Sequence, residues 1–124
     1  MRVRRIAATV LAIGLLGAFP ASSSADTFRV RAVGSSPTDF AWDPSFRHIV
    51  KGDRIVWKNT TEASHRVVAY RGRWSKDTTI APGETTGKRF RRTGTYKYRC
   101  TLPGHSTLTD GNCQGMCGTV HVTT

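Results

Sequence analysis

Beyond residue 26 the chain is a series of short runs in which apolar and polar side chains alternate, separated by turn residues. In TFRVRAV, Phe28, Val30 and Ala32 share one face, while Arg29 and Arg31 share the other. A period of two belongs to an extended backbone, whose successive side chains point to opposite faces. RIVWKN repeats the pattern, with Ile55 and Trp57 set against Arg54, Val56 and Lys58. In TYKYRC, Tyr96, Tyr98 and Cys100 point inward and Lys97 and Arg99 outward. GTVHVT sets Val120 and Val122 against an outward His121. FRHIV and HRVVAY read as further strands, and GKRFRR, with Phe90 as its lone apolar residue, as a strand exposed on one face. GSSPTD and NTTEAS are loops, RGRWSKDT is an irregular surface stretch carrying Trp74, and KGD, Pro82-Gly83 and Thr93-Gly94 are turns. No run sustains a helical period. The pattern predicts one all-β domain, an antiparallel sandwich or barrel. Trp57 belongs in its core, Trp42 and Trp74 in the core or a surface patch, and His48 at a structural or rim position.

The first 25 residues break this pattern. MRVRR is basic, residues 6–19 carry no charge, and PASSSA follows. That is the layout of a secretory signal peptide. Its apolar run of about 14 residues is shorter than the ~20 that span a bilayer as a helix. An uncleaved anchor is the alternative. Arg4 and Arg5 match a twin-arginine signal only as a pair, since Val3 and Ala7 depart from it. Cleavage after Ala25 leaves residues 26–124 as a single domain, long enough for one modest core. The whole chain has 19 Lys+Arg and 8 Asp+Glu. Without Arg2, Arg4 and Arg5 the domain keeps sixteen cations against eight carboxylates. Such a surface favours acidic partners, anionic membranes or nucleic acid. No basic helix or nucleic-acid motif is present. The reading is therefore an exported monomer that binds no nucleic acid and touches membranes at most peripherally.

Residues 96–122 hold the chemistry. Alternation puts Cys100 at the inward end of one strand and His65 at the inward start of another. His105 and Met116 come from one long loop. A thiolate, two imidazoles and a weak thioether form the donor set of a blue-copper site. Each residue also has a plainer reading: His65 as a strand-end polar group, Cys100 as half of a disulfide, His105 as a turn cap, Met116 as core. The chain has three cysteines, an odd number for an oxidising compartment. If Cys100 is the thiolate, Cys113 and Cys117, four apart, are left to bridge and brace the loop around Met116. The competing arrangement joins one of them to Cys100 and leaves the metal without a thiolate.

The ordered segments GDRIVWKN, SHRVV, APGETTGKRF, GTYKYRCTLPGH and GMCGTVHV resemble the cupredoxin family of plastocyanins and azurins over nearly all of residues 26–124. The resemblance implies a Greek-key β-sandwich and one copper ion held by His65, Cys100, His105 and Met116. It implies a one-electron carrier rather than an enzyme, since every position around the metal is filled. Electrons would pass the edge of His105, where Leu102, Pro103 and Leu108 form a small apolar patch for a redox partner, with nearby basic residues steering an acidic one. Two features depart from the family. Ten residues separate His105 from Met116, a longer loop than usual. Arg66 follows His65 where the family carries an Asn that ties the ligand loops together, so another group must brace them. A copper-binding or delivery protein without a redox partner, and a metal-free disulfide-stapled sandwich, are the alternative functions.

Overall fold

A computed structural model describes residues 25–124. The predicted signal peptide, apart from Ala25, lies outside the described residues. These form eleven strands and no helix. The strands are β1 (Thr27–Val33), β2 (Ala41–Asp43), β3 (Phe46–Val50), β4 (Arg54–Asn59), β5 (His65–Arg71) and β6 (Asp77–Ile80). They continue with β7 (Thr85–Arg89), β8 (Gly94–Arg99), β9 (Ser106–Thr109), β10 (Asn112–Gly115) and β11 (Cys117–Thr123). One sheet has the order β2-β1-β4-β7, the other β3-β11-β8-β5-β6, and β9 and β10 pair as a separate hairpin.

The two sheets form a sandwich whose inner faces carry the alternating apolar residues. Val30 and Ala32 of β1 and Ile55 and Trp57 of β4 are buried, as are Val67 of β5, Tyr96 and Tyr98 of β8, and Val120 and Val122 of β11. Trp42 also lies in the core. Trp74 is partly buried and stacks on Trp57, with ring centroids 6.3 Å apart. His121 faces outward against the Thr95 hydroxyl, and His48 against that of Thr123. Gly118 is the cross-strand neighbour of Tyr98. A Cβ there would lie 2.1 Å from Tyr98 Cζ, so the phenol ring needs a glycine beneath it.

Three features correct the sequence reading. The sandwich is not wholly antiparallel: β1 pairs with β4, and β3 with β11, in parallel. Alternation records which face a side chain takes and is silent on strand direction. Short strands β2 and β6 occupy stretches that carried little pattern; β6 pairs only with β5. The largest correction is at residues 106–115. This segment is the β9–β10 hairpin rather than a long loop, with Asn112 opposite Thr109 and Gln114 opposite Thr107. Asp110 and Gly111 both have positive φ, 52° and 80°. That is the backbone of the two-residue turn for which Asp-Gly is a preferred sequence.

Candidate metal centre

Strand pairing brings the ligand residues to one end of the sandwich. β5 and β8 are antiparallel, with Val68 opposite Arg99, so the start of β5 and the end of β8 lie together. His65 opens β5 and Cys100 follows β8, and both are fully buried. The chain then turns through Thr101-Leu102-Pro103-Gly104, closed by a hydrogen bond from His105 N to Leu102 O. Met116, also fully buried, joins the hairpin to β11. Its backbone sits between the other two: Met116 N donates to His105 O at 2.8 Å, and Cys100 N donates to Met116 O at 3.1 Å. All four sequence-predicted residues are thus at the same pole.

Three donor atoms converge. His65 Nδ1 lies 3.2 Å from His105 Nδ1, Cys100 Sγ lies 3.3 Å from His105 Nδ1, and Cys100 Sγ lies 3.9 Å from His65 Nδ1. A triangle with these sides has its centre about 2.0 Å from each corner, close to the length of a transition-metal bond to an imidazole nitrogen and slightly short for one to sulfur. Lone pairs turned on one another at this range repel unless a cation sits among them. The residues present therefore fit one copper ion.

Neighbouring groups hold these donors in place. With Nδ1 turned to the centre, the proton of the His65 ring belongs on Nε2, which donates to the Thr61 hydroxyl at 2.7 Å. Thr61 in turn donates to Asn59 Oδ1 at 2.8 Å, and the Asn59 amide donates to the carbonyls of Ala63 and Ile80. The chain of bonds fixes both tautomer and ring orientation. The backbone N–H of Arg66 donates to Cys100 Sγ at 3.3 Å, a contact that stabilises a thiolate. The Arg66 side chain adds no brace of its own, because it pairs outward with Asp77. Ser106 braces the Cys100–His105 loop from within: its hydroxyl donates to Cys100 O and accepts from Arg99 Nη1, while the bond from Arg66 N–H to Sγ ties that loop to the His65 segment. Phe40 closes the wall, its ring 4.6 Å from that of His65 and 4.8 Å from that of His105, and Trp42 lies behind.

Burial, together with the nearby charge of His105, pushes the His65 pKa down to about 4, and burial lowers that of His105 as well. Both imidazoles are therefore held neutral, the form that binds a metal. The cysteines are divided as the copper reading requires. Cys113 and Cys117 are bridged, with Cα atoms 6.1 Å apart, and Cys100 is a free, buried thiol.

No sequence pattern marks Asn59, Thr61, Ser106 or Phe40 as part of the site, and the signal at each is faint. NTTEAS is a polar run placed just before a ligand, Ser106 is adjacent to one, and Phe40 and Trp42 alternate.

Residues 29–123 match the family described as copper binding proteins, plastocyanin/azurin family. This chain belongs to that family. Among solved structures it is similar to a novel purple cupredoxin from Nitrosopumilus maritimus, with 16% identity and a TM-score of 0.61 over 77% of this chain and 99% of that one. It is also similar to the Cu(I) form of a methionine variant of amicyanin, with 22% identity and a TM-score of 0.60 over 82% and 85% of the two chains. A tryptophan variant of reduced amicyanin gives 20% identity and a TM-score of 0.60 over the same shares. At these identities the likeness shows the cupredoxin fold. The family match and the His65–Cys100–His105 triangle together show a copper site for one ion.

Proposed function

We propose that this cupredoxin is an exported type 1 copper protein that carries one electron at a time, with its copper held by His65, Cys100, His105 and Met116. The observation that supports this most is the buried triangle of two Nδ1 atoms and one Sγ. Copper, when bound, supplies the one-electron Cu(II)/Cu(I) couple. The chain's part is to keep the donors still through the change of charge. Thr61 fixes His65, the N–H of Arg66 stabilises the Cys100 thiolate, and Met116, wholly buried beside them, would bring a thioether as a fourth donor. Phe40 packs against both imidazoles and Trp42 against His65, which stiffens the site, and we assign electron transfer rather than catalysis.

His105 is the exit for the electron. It is 8% exposed where His65 is fully buried, and its Nε2 has no protein partner among the described residues. Leu102 and Pro103 beside it, with Leu108 on the hairpin at 38% exposed, give an apolar patch on which a redox partner docks. The excess of cations steers an acidic partner. The signal-peptide pattern and the Cys113–Cys117 bridge suit an oxidising, exported setting. Deep burial of the donors favours a carrier over a protein that hands its copper on.

Adding Cu(II) to the purified protein tests the reading. One equivalent should produce intense visible absorption from thiolate-to-copper charge transfer, and voltammetry should be reversible. Absence of that band would refute the site. Coloured protein that loses copper quickly to a mild chelator would mark a delivery protein instead.

A further inference from the structure

The end of the sandwich away from the metal carries cations that lack counter-ions. Two connections form it, residues 72–76 between β5 and β6 and residues 90–93 between β7 and β8. Between them lies a crevice of about 210 Å³ whose lining includes Arg73, Lys88, Arg89, Arg91 and Arg92 and no carboxylate. Its floor is aromatic. Trp74 and Phe90 have ring centroids 5.4 Å apart, and Phe90 and Tyr96 4.9 Å. The polar atoms of this floor are already used: Tyr96 OH donates to Arg92 O, and Trp74 Nε1 to Arg71 O.

Nothing nearby neutralises the charge. Arg89 donates to Gly52 O. Arg73, Lys88, Arg91 and Arg92 donate no side-chain hydrogen bond and form no ion pair among the described residues, where the one ion pair is Arg66–Asp77. Asp53, whose carbonyl accepts from Phe90 N, spends its carboxylate oxygens on the N–H groups of Asp26 and Val50. Lys76, at the same open edge, donates to Thr86 Oγ1 and Gly87 O and lies 5.8 Å over the Trp57 ring. Burial, then the charges of Lys88 and Arg54, hold its ammonium below the usual lysine range. Like charges are crowded here, and an anion would relieve them.

The chemistry of that anion follows from its hosts. Lys88 is half-buried and Arg73, Arg91 and Arg92 are exposed, so one ammonium and three guanidinium groups are presented together. Guanidinium forks match the oxygens of a phosphate two at a time. A singly charged ion would leave most of the cluster uncompensated. We propose that this crevice binds a tetrahedral oxyanion carrying two charges, a phosphate monoester group or inorganic phosphate, held by Lys88, Arg73, Arg91 and Arg92. Tyr96 and Cys100 are four residues apart on one extended run, about 13 Å at ~3.3 Å per residue. The site is therefore separate from the copper centre and does not rest on the copper reading.

The test is a titration of the Cu(I)-loaded or metal-free protein with inorganic phosphate at constant ionic strength, chloride serving as the reference, followed by backbone amide shifts. Saturable shifts should be confined to residues 72–76 and 87–93, leaving His65, Cys100 and His105 unmoved. Lys88→Ala and Arg91→Gln should each weaken binding at least tenfold. Vesicles of phosphatidic acid, compared with phosphatidylcholine, separate the two sources. Sedimentation with phosphatidic acid that phosphate reverses and Lys88→Ala abolishes assigns a lipid headgroup. Saturable phosphate binding without sedimentation assigns a soluble phosphate. Shifts that never saturate, or binding that Lys88→Ala leaves intact, would overturn the proposal in favour of diffuse adsorption to a basic surface.

Discussion

The two ends of this sandwich share their strands and differ in how their polar groups are partnered. β8 runs from Gly94, beside the crevice, to Arg99, beside the copper ligands. At the metal end a chain of neighbours braces the donors: His65 is held by Thr61, Thr61 by Asn59, the Cys100 carbonyl by Ser106, and Ser106 by Arg99. Even Asp39, on the loop before Phe40, accepts from the backbone N–H groups of Ser36 and Ser35, which lower its pKa. At the other end four cations have no such partner. One end is built before its ligand arrives, and the other is left to be completed by one. Backbone geometry does not make this difference, because the same strands reach both ends. The side chains placed where each strand stops make it.

The strongest way to break the comparison is to remove the donor that only the metal end has. Cys100→Ser should abolish the charge-transfer band outright, because no other sulfur in the triangle can supply it. Phosphate affinity at the far crevice should stay within about twofold, the limit expected for sites with no shared contacts. A variant that remains coloured would remove Cys100 from the site. A large change in phosphate binding would show that the two ends are coupled.

Between the ends lies a shared joint. Tyr98 touches Trp42, which packs on His65, and also Trp57 and Trp74, of which Trp74 lines the crevice. Its ring rests on Gly118, where a new Cβ would be 2.1 Å from Cζ. Neither ring nor strand can retreat, so Gly118→Ala should cost about 3 kcal/mol, the upper part of the usual range for overpacking, in denaturant unfolding. Tyr98→Phe is the control. The phenol hydroxyl is buried without a partner and burial raises its pKa, so its removal should be neutral or stabilising. A neutral Gly118→Ala would show that the core is looser than its packing implies.

The contrast sharpens at Thr61. Thr61→Val keeps the shape and removes the hydroxyl that orients His65, leaving Nε2 without its acceptor. Loss of such an outer partner lowers metal affinity by about 10–100-fold. Competition with a chelator of known affinity reads this directly, and phosphate binding should not respond. Unchanged copper affinity would mean that packing against Phe40 and Trp42 alone orients the ring.

What the sequence revealed divides along the same physical line. Strand faces were legible because alternation is local: Tyr96, Tyr98 and Cys100 could be placed inward from six consecutive letters. The three converging donors, His65, Cys100 and His105, were legible because few residue types bind copper and their order along the chain is restrictive. Partners across space were not. Nothing in NTTEAS says that Thr61 rather than Thr60 reaches His65, since that depends on how the loop closes over Asn59. Parallel pairing of β1 with β4 joins segments far apart in sequence, and no local pattern encodes it. The β9–β10 hairpin is a different case. Asp110-Gly111 is a recognisable turn signal, but its flanks are mostly polar and exposed, so no apolar stripe marked them as strands. The cation crevice was visible only as a surplus of charge until the fold brought Arg73 to Lys88 and Arg91.

The smallest expected effect concerns the Cys113–Cys117 bridge, and the hairpin changes what that bridge is for. A lengthened loop without structure would need a crosslink to hold Met116, because fixing each residue costs about 1–2 kcal/mol in backbone entropy. The loop is not without structure. Its two strands pair with each other through the Asp110-Gly111 turn, and Met116 is held by backbone bonds to His105 and Cys100 that involve neither sulfur. The bridge instead joins β10 to the first residue of β11 and fixes the angle at which the hairpin leaves the sandwich. On the loop-closure model so short a ring contributes about 2 kcal/mol. Replacing both cysteines by serine should therefore lower stability by about that amount in reversible unfolding. The copper spectrum and potential should stay close to those of the parent. The hairpin, which carries Leu108 of the docking patch, should exchange its amide hydrogens faster. If the spectrum or potential moved while Cys100 stayed reduced, the crosslink would be positioning Met116 after all, and the hairpin would be only its scaffold.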